Sequence, residues 1–184
     1  MTTRRDAIRA LAAIAALPLV ERLSATELDD VWQRANMLAE PRALTAPEYH
    51  IVVSAAERII PRTTTPGATD ARVADFIDVM LADWYDPPDR ARFKAGLHEL
   101  DQSALKVTGR SFVQAEERQQ TQLLETLDRE LAVRRETREA GADDHWFAVL
   151  KHLTIWGYYT SRPGIVEELR VQLVPGRYDG NAGY

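Results

Sequence analysis

The sequence predicts a single all-α domain, an irregular helical bundle with long proline- and glycine-containing loops. Three observations lead there. From Asp70 to Tyr85 the residues Val73, Phe76, Ile77, Met80, Leu81 and Trp84 fall at i, i+3, i+4, i+7, i+8 and i+11, the broad apolar stripe of a helix. Ser24-Ala25-Thr26-Glu27 and Thr45-Ala46-Pro47-Glu48 have capping-box spacing, in which a hydroxyl and a carboxylate satisfy orphan backbone donors at a helix start. No stretch alternates convincingly as a strand would, and the one β-leaning candidate is "LRVQLVPG", residues 169–176. A chain of 184 residues is long enough for one core and short for two.

The elements follow in order. The opening "MTTRRDAIRALAAIAALPLV" pairs Arg4 with Arg5 ahead of an alanine-rich apolar run, Ala10 to Val20. A basic region before a short apolar one is the outline of an export signal, here too short to span a bilayer, and the double arginine suggests the twin-arginine route. The same residues also read as an amphipathic first helix, and no clean small-x-small cleavage site follows Val20. The division is therefore a signal segment over 1–25 and a helical domain over 26–184.

Ser24 leads into a helix carrying Leu28, Val31, Trp32, Ala35 and Leu38; Thr45 leads into one carrying Tyr49, Val52, Val53, Ala56, Ile59 and Ile60. Asp86-Pro87-Pro88 ends the helix begun near Asp70, because proline lacks a donor and disfavours helix just before itself. A further helix carries Phe93, Leu97, Leu100 and Leu105. Ser111 to Gln114 is placed to cap a long helix through Leu124, Leu127 and Leu131, whose charged tail from Arg134 to Glu139 is a solvated face. Gly141 breaks the chain, Asp143 or Asp144 caps a last helix from His145 to about Tyr158, and Gly157 is expected to interrupt it.

Composition narrows the function. The hydrophobic fraction is 45% and the charged fraction 28%, ordinary for a globular protein, and the net charge of −5 leaves no domain-wide basic surface for nucleic acid. The absence of cysteine removes thiol catalysis, cysteine-based zinc sites, iron–sulfur ligation and disulfides together. Among the histidines His50, His98, His145 and His152, the last two are seven apart on one helix face near Asp143 and Asp144. That spacing is not the i, i+4 of H-E-x-x-H, so structural or surface roles are expected, with a metal-dependent helical enzyme as the alternative. No nucleophile elbow, phosphate loop or dinucleotide fingerprint occurs, and no catalytic, cofactor-binding or metal residues are assigned.

The irregular stretches remain. "IIPRTTTPGATDARV", residues 59–73, is long for a helix–helix connection, and such loops are often functional; a rigid connector is the other reading. "TIWGYYTSRPGI", residues 154–165, crowds large aromatics around a turn. Trp156, Tyr158 and Tyr159 either close this chain's own core or anchor a second protein, since core and interface share that chemistry. The partner reading nominates Trp156, Tyr158, Tyr159 and Arg162, with Pro61, Thr65 and Pro66 of the first loop and Tyr178 of the final turn.

"ERIIPRTTTPGATDARVADFIDVMLADWY" (57–85), "WGYYTSRPG" (156–164) and "VPGRYDG" (174–180) resemble the gluconate 2-dehydrogenase subunit 3 family, and "RFKAGLHELDQSAL" with "SFVQAEERQQTQLLETL" fits it too. The resemblance covers nearly everything after residue 45. It departs at Thr64, where the family often has aspartate in T-D-T-P-G, and a chain without cysteine cannot be joined to a partner by the disulfide some relatives use. The resemblance implies the small, noncatalytic subunit of a periplasmic or membrane-associated flavin dehydrogenase of the glucose–methanol–choline type, acting on a sugar, polyol or sugar acid. It implies that FAD resides in the partner, that a cytochrome c subunit is compatible with the complex, and that this chain binds the folded flavoprotein and escorts it through the twin-arginine route. A transient export chaperone is the alternative within that reading.

Overall fold

The computed structural model describes residues 23–137 and 145–170. Arg4, Arg5, Asp143, Asp144, Tyr178 and nearly all of the β-leaning stretch lie outside them, and no strand occurs among the described residues. Six α-helices do: α1 (Ala25–Met37), α2 (Ala46–Ile59), α3 (Val73–Asp83), α4 (Pro87–Thr108), α5 (Glu117–Glu136) and α6 (Trp146–Thr160). A 3₁₀ turn (Phe112–Gln114) joins α4 to α5, and a π-helical turn (Gly164–Glu168) follows α6.

Both predicted capping boxes form, at Ser24 with Glu27 and at Thr45 with Glu48. The helix at Asp70 begins later than its periodicity suggests. Residues 70–72 turn, and α3 starts at Val73 behind Arg72, which holds a left-handed φ of 54°. From Val73 to Leu81 every residue of α3 is buried, Asp75 and Asp78 included. A helix buried on all sides is the centre of its fold, and α1, α2 and α6 all pack on this one. Trp84, expected on its stripe, sits at the C-cap, 36% exposed.

Three further expectations are corrected. Along α4 the inward positions are Phe93, Leu97, Leu100 and Ala104; Leu105 lies about 100° round from Ala104 and is exposed. Ser111 caps only the short 3₁₀ turn, which the buried Phe112 anchors, and α5 begins after its own capping box of Glu116 and Gln119. Gly157 does not interrupt α6, which runs on to Thr160. The glycine is there for close approach: a Cβ at this position would lie 2.7 Å from Cδ1 of Phe76, so α6 and α3 meet at van der Waals distance.

Candidate partner-binding site

The aromatic cluster near the C-terminus resolves largely inward. Trp156 is 6% exposed and Tyr158 1%, so this chain's own helices cover the two rings offered to a partner. Trp32 of α1 stacks on Phe76 of α3 at 4.9 Å, Phe76 meets Trp156 of α6 edge-on at 5.4 Å, and Trp156 stacks with His152 at 5.8 Å. Trp32 Nε1 also donates to Thr160 Oγ1 at 3.1 Å, tying α1 to the end of α6. Of the two readings for these rings, the described chain shows Trp156 and Tyr158 closing its own core, on the apolar seat that α3 offers. Tyr159 is only half buried, its ring edge-on to Tyr158 at 5.2 Å, and Arg162 in the turn beyond α6 is exposed.

The long loop between α2 and α3 is organised around carboxylates. Glu57, in the last turn of α2, accepts the backbone N–H of Arg62 on Oε1 and that of Thr69 on Oε2, each at 2.9 Å. Ala68 N–H donates to the Ile60 carbonyl at 2.9 Å and closes the base. Asp70 takes the Gly67 N–H at 2.9 Å and pairs with the Arg62 guanidinium. A Cβ on Gly67 would lie 2.5 Å from Glu57 Oε1 and 2.6 Å from Arg62 N, so the loop closes only around glycine. Burial pushes the Glu57 carboxyl up, but the Thr69 and Arg62 hydrogen bonds and the Arg58 charge outweigh it and hold it below its ordinary value. Above this base Pro61, Arg62, Thr63 and Thr64 are exposed, with Thr65 and Pro66 half buried.

The two regions meet. Tyr158 Oη donates to the Pro66 carbonyl at 2.6 Å, across 92 residues of sequence. Of the nominated partner residues, this contact brings Pro66, Thr65, Tyr158 and its neighbour Tyr159 into one locality. Burial, with the Glu168 charge beside it, pushes the Tyr158 phenol up to about 12, so it stays a donor at any physiological pH.

Three residues that sequence reasoning left unassigned hold the surroundings. Asp78, wholly buried, accepts the N–H of Arg42 at 2.7 Å, of Ala43 at 3.0 Å and of Leu44 at 2.8 Å. Asp75 accepts from Tyr49 Oη at 2.8 Å and Arg72 Nε at 2.7 Å, while Arg72 Nη1 reaches the Asn36 carbonyl at 2.8 Å. The readable signal was a pair of carboxylates inside an apolar helical run, "ADFIDVML", where a charge survives only with partners.

Beside Arg72 a recess lined by Tyr49, Val53, Ala68, Thr69 and Asp75 has a volume of about 50 Å³. Pockets that hold a drug-sized ligand typically enclose about 300–1,000 Å³. His145 caps α6, its Nδ1 accepting the Phe147 N–H at 3.3 Å, whereas His152 is buried with neither ring nitrogen hydrogen-bonded. Among the described residues no three histidine, aspartate or glutamate side chains gather as a metal site would require.

The family model described as Gluconate 2-dehydrogenase subunit 3 matches residues 46–176. The chain belongs to that family. The match takes in α2, the braced loop, α3 and α6 with the turn beyond it. No curated protein and no solved structure matches. Family membership makes the protein a subunit of a dehydrogenase complex. No helix among the described residues is long and apolar enough to cross a membrane.

Proposed function

We propose that this chain is the noncatalytic small subunit of an FAD-dependent sugar, polyol or sugar-acid dehydrogenase of the glucose–methanol–choline type, and that it binds, stabilises and co-exports the flavoprotein. The observation that carries this reading is the loop from Ile60 to Arg72. Its base is fixed by Glu57, Asp70 and Tyr158, yet its tip from Pro61 to Thr64 covers nothing in this chain. A segment pre-organised at that expense, with an exposed tip, suits docking, because a rigid surface loses little entropy on binding. Tyr159, edge-on to Tyr158, and the exposed Arg162 in the turn after α6 add an aromatic and an arginine, residue types enriched among binding hot spots. The FAD belongs to the larger subunit, whose substrate specificity goes with it, and association is noncovalent because the chain has no cysteine.

Export follows from Arg4 and Arg5. The test is co-expression with an FAD-dependent dehydrogenase subunit from the same genome that has no signal of its own. Dye-linked dehydrogenase activity should reach the periplasm with the wild-type small subunit and stay cytoplasmic when Arg4 and Arg5 are both changed to lysine. Equal periplasmic activity in both strains contradicts the escort role. If the purified periplasmic enzyme lacks this chain, its role ends at export.

A further inference from the structure

Tyr158 is buried, so its ring cannot touch a partner, yet its hydroxyl is the long-range hydrogen bond that ties the docking loop to α6. The bonds around the loop's tip, from Glu57, Asp70 and the Ile60 carbonyl, come from the loop itself or from the last turn of α2, while Arg72 ties its far end to the end of α1 through the Asn36 and Leu38 carbonyls. They set the loop's internal form and hold its far end, and the hold of its Pro66 corner on α6 falls to Tyr158. One residue on, α6 presents Tyr159, and Ser161 turns the chain towards Arg162 by accepting the Gly164 N–H on Oγ at 3.1 Å and donating to the Tyr158 carbonyl at 2.6 Å. Residue 158 therefore faces both ways: its hydroxyl grips the loop at Pro66, and its carbonyl grips the turn that carries Arg162.

We propose that Tyr158 is a positioning residue, a latch that presents the loop tip and the Tyr159–Arg162 turn to the partner as one pre-formed surface. The inference rests on the docking role proposed above. Without the hydroxyl the Pro66 carbonyl loses its donor, the base of the loop at Ala68 and Thr69 loosens, and the two halves of the surface lose register.

Tyr158→Phe tests this, since it keeps the ring in the core and removes only the donor. Measured on the full chain with the flavoprotein subunit, the dissociation constant should rise about tenfold, the scale of one hydrogen bond to an otherwise unsatisfied group. In the isolated chain the Ala68 and Thr69 amides should exchange faster, with the helical circular dichroism unchanged. Gly67→Ala, whose Cβ would strike Glu57 Oε1 and the Arg62 backbone, opens the loop itself without touching α6 and should weaken binding at least as much. If the wild type binds and Tyr158→Phe binds equally well while Gly67→Ala binds weakly, the latch is overturned while the docking role stands; if both variants bind as the wild type does, the latch and the docking loop are overturned together. Faster exchange with unchanged affinity overturns it too. If the wild type does not bind, the docking surface falls and the latch falls with it.

Discussion

His152 is 7% exposed, stacks on Trp156, and has no hydrogen-bond partner for either ring nitrogen. Burial lowers its pKa from 6.5 to about 4. Protons then bind the unfolded chain more tightly than the folded one, so stability is intact at neutral pH and is lost as pH falls below 6.5, the loss levelling off near 4. Urea unfolding at pH 7 and pH 5 should differ by roughly 2 kcal/mol from this group alone. His152→Leu should flatten that window and keep the losses below it, where the depressed carboxyls of Glu48, Glu57 and Asp83 take on protons. A variant as acid-sensitive as the wild type would show that the buried ring is not responsible. The sequence placed His152 on a helix with a metal role as one option; that it lies against Trp156 with idle nitrogens depends on contacts between helices far apart in the chain.

At the scale of elements, α3 explains what could and could not be read in advance. Helix starts at Ser24 and Thr45 were legible because a capping box is a local device, complete within four residues. The run through α6 was not, because Gly157 signals a break locally and is kept for its contact with Phe76, a tertiary fact. Leu105 and Ser111 failed for the same reason: Ala104 and Glu116 took the roles once α4 and α5 had packed. Asp78 likewise stands on an apolar run yet holds residues 42–44 of the connection from α1 to α2 through three backbone amides. Asp78→Ala should cost about 3 kcal/mol in urea unfolding, since it strands buried donors, and should speed amide exchange at Arg42, Ala43 and Leu44. Wild-type stability in that variant would mean water satisfies those amides.

For the molecule as a whole, the all-α class and the family were legible from residue patterns that span most of the chain. The proposed docking surface was legible only in outline. Pro61, Thr65, Pro66, Tyr159 and Arg162 lie where a partner can reach them or close to it, but Trp156 and Tyr158 turned inward, because one chain's core and its interface draw on the same side chains. The carboxylates that build the loop, Glu57 and Asp70, gave no sign in sequence that they would face backbone amides. On the proposed reading, with Trp156 buried, adhesion comes from the braced loop and the turn after α6, supplemented by further surface, since a permanent subunit interface buries about 2,000 Å².

The most direct measurement is titration calorimetry of the purified full chain against the FAD-dependent dehydrogenase subunit, followed by gel filtration of the mixture. The account predicts a complex that survives the column, forms without a covalent link, and weakens when Arg162→Ala or a Pro61–Thr64 alanine block is introduced. Separate elution of the two proteins, with the flavoprotein folded and active alone, would contradict it.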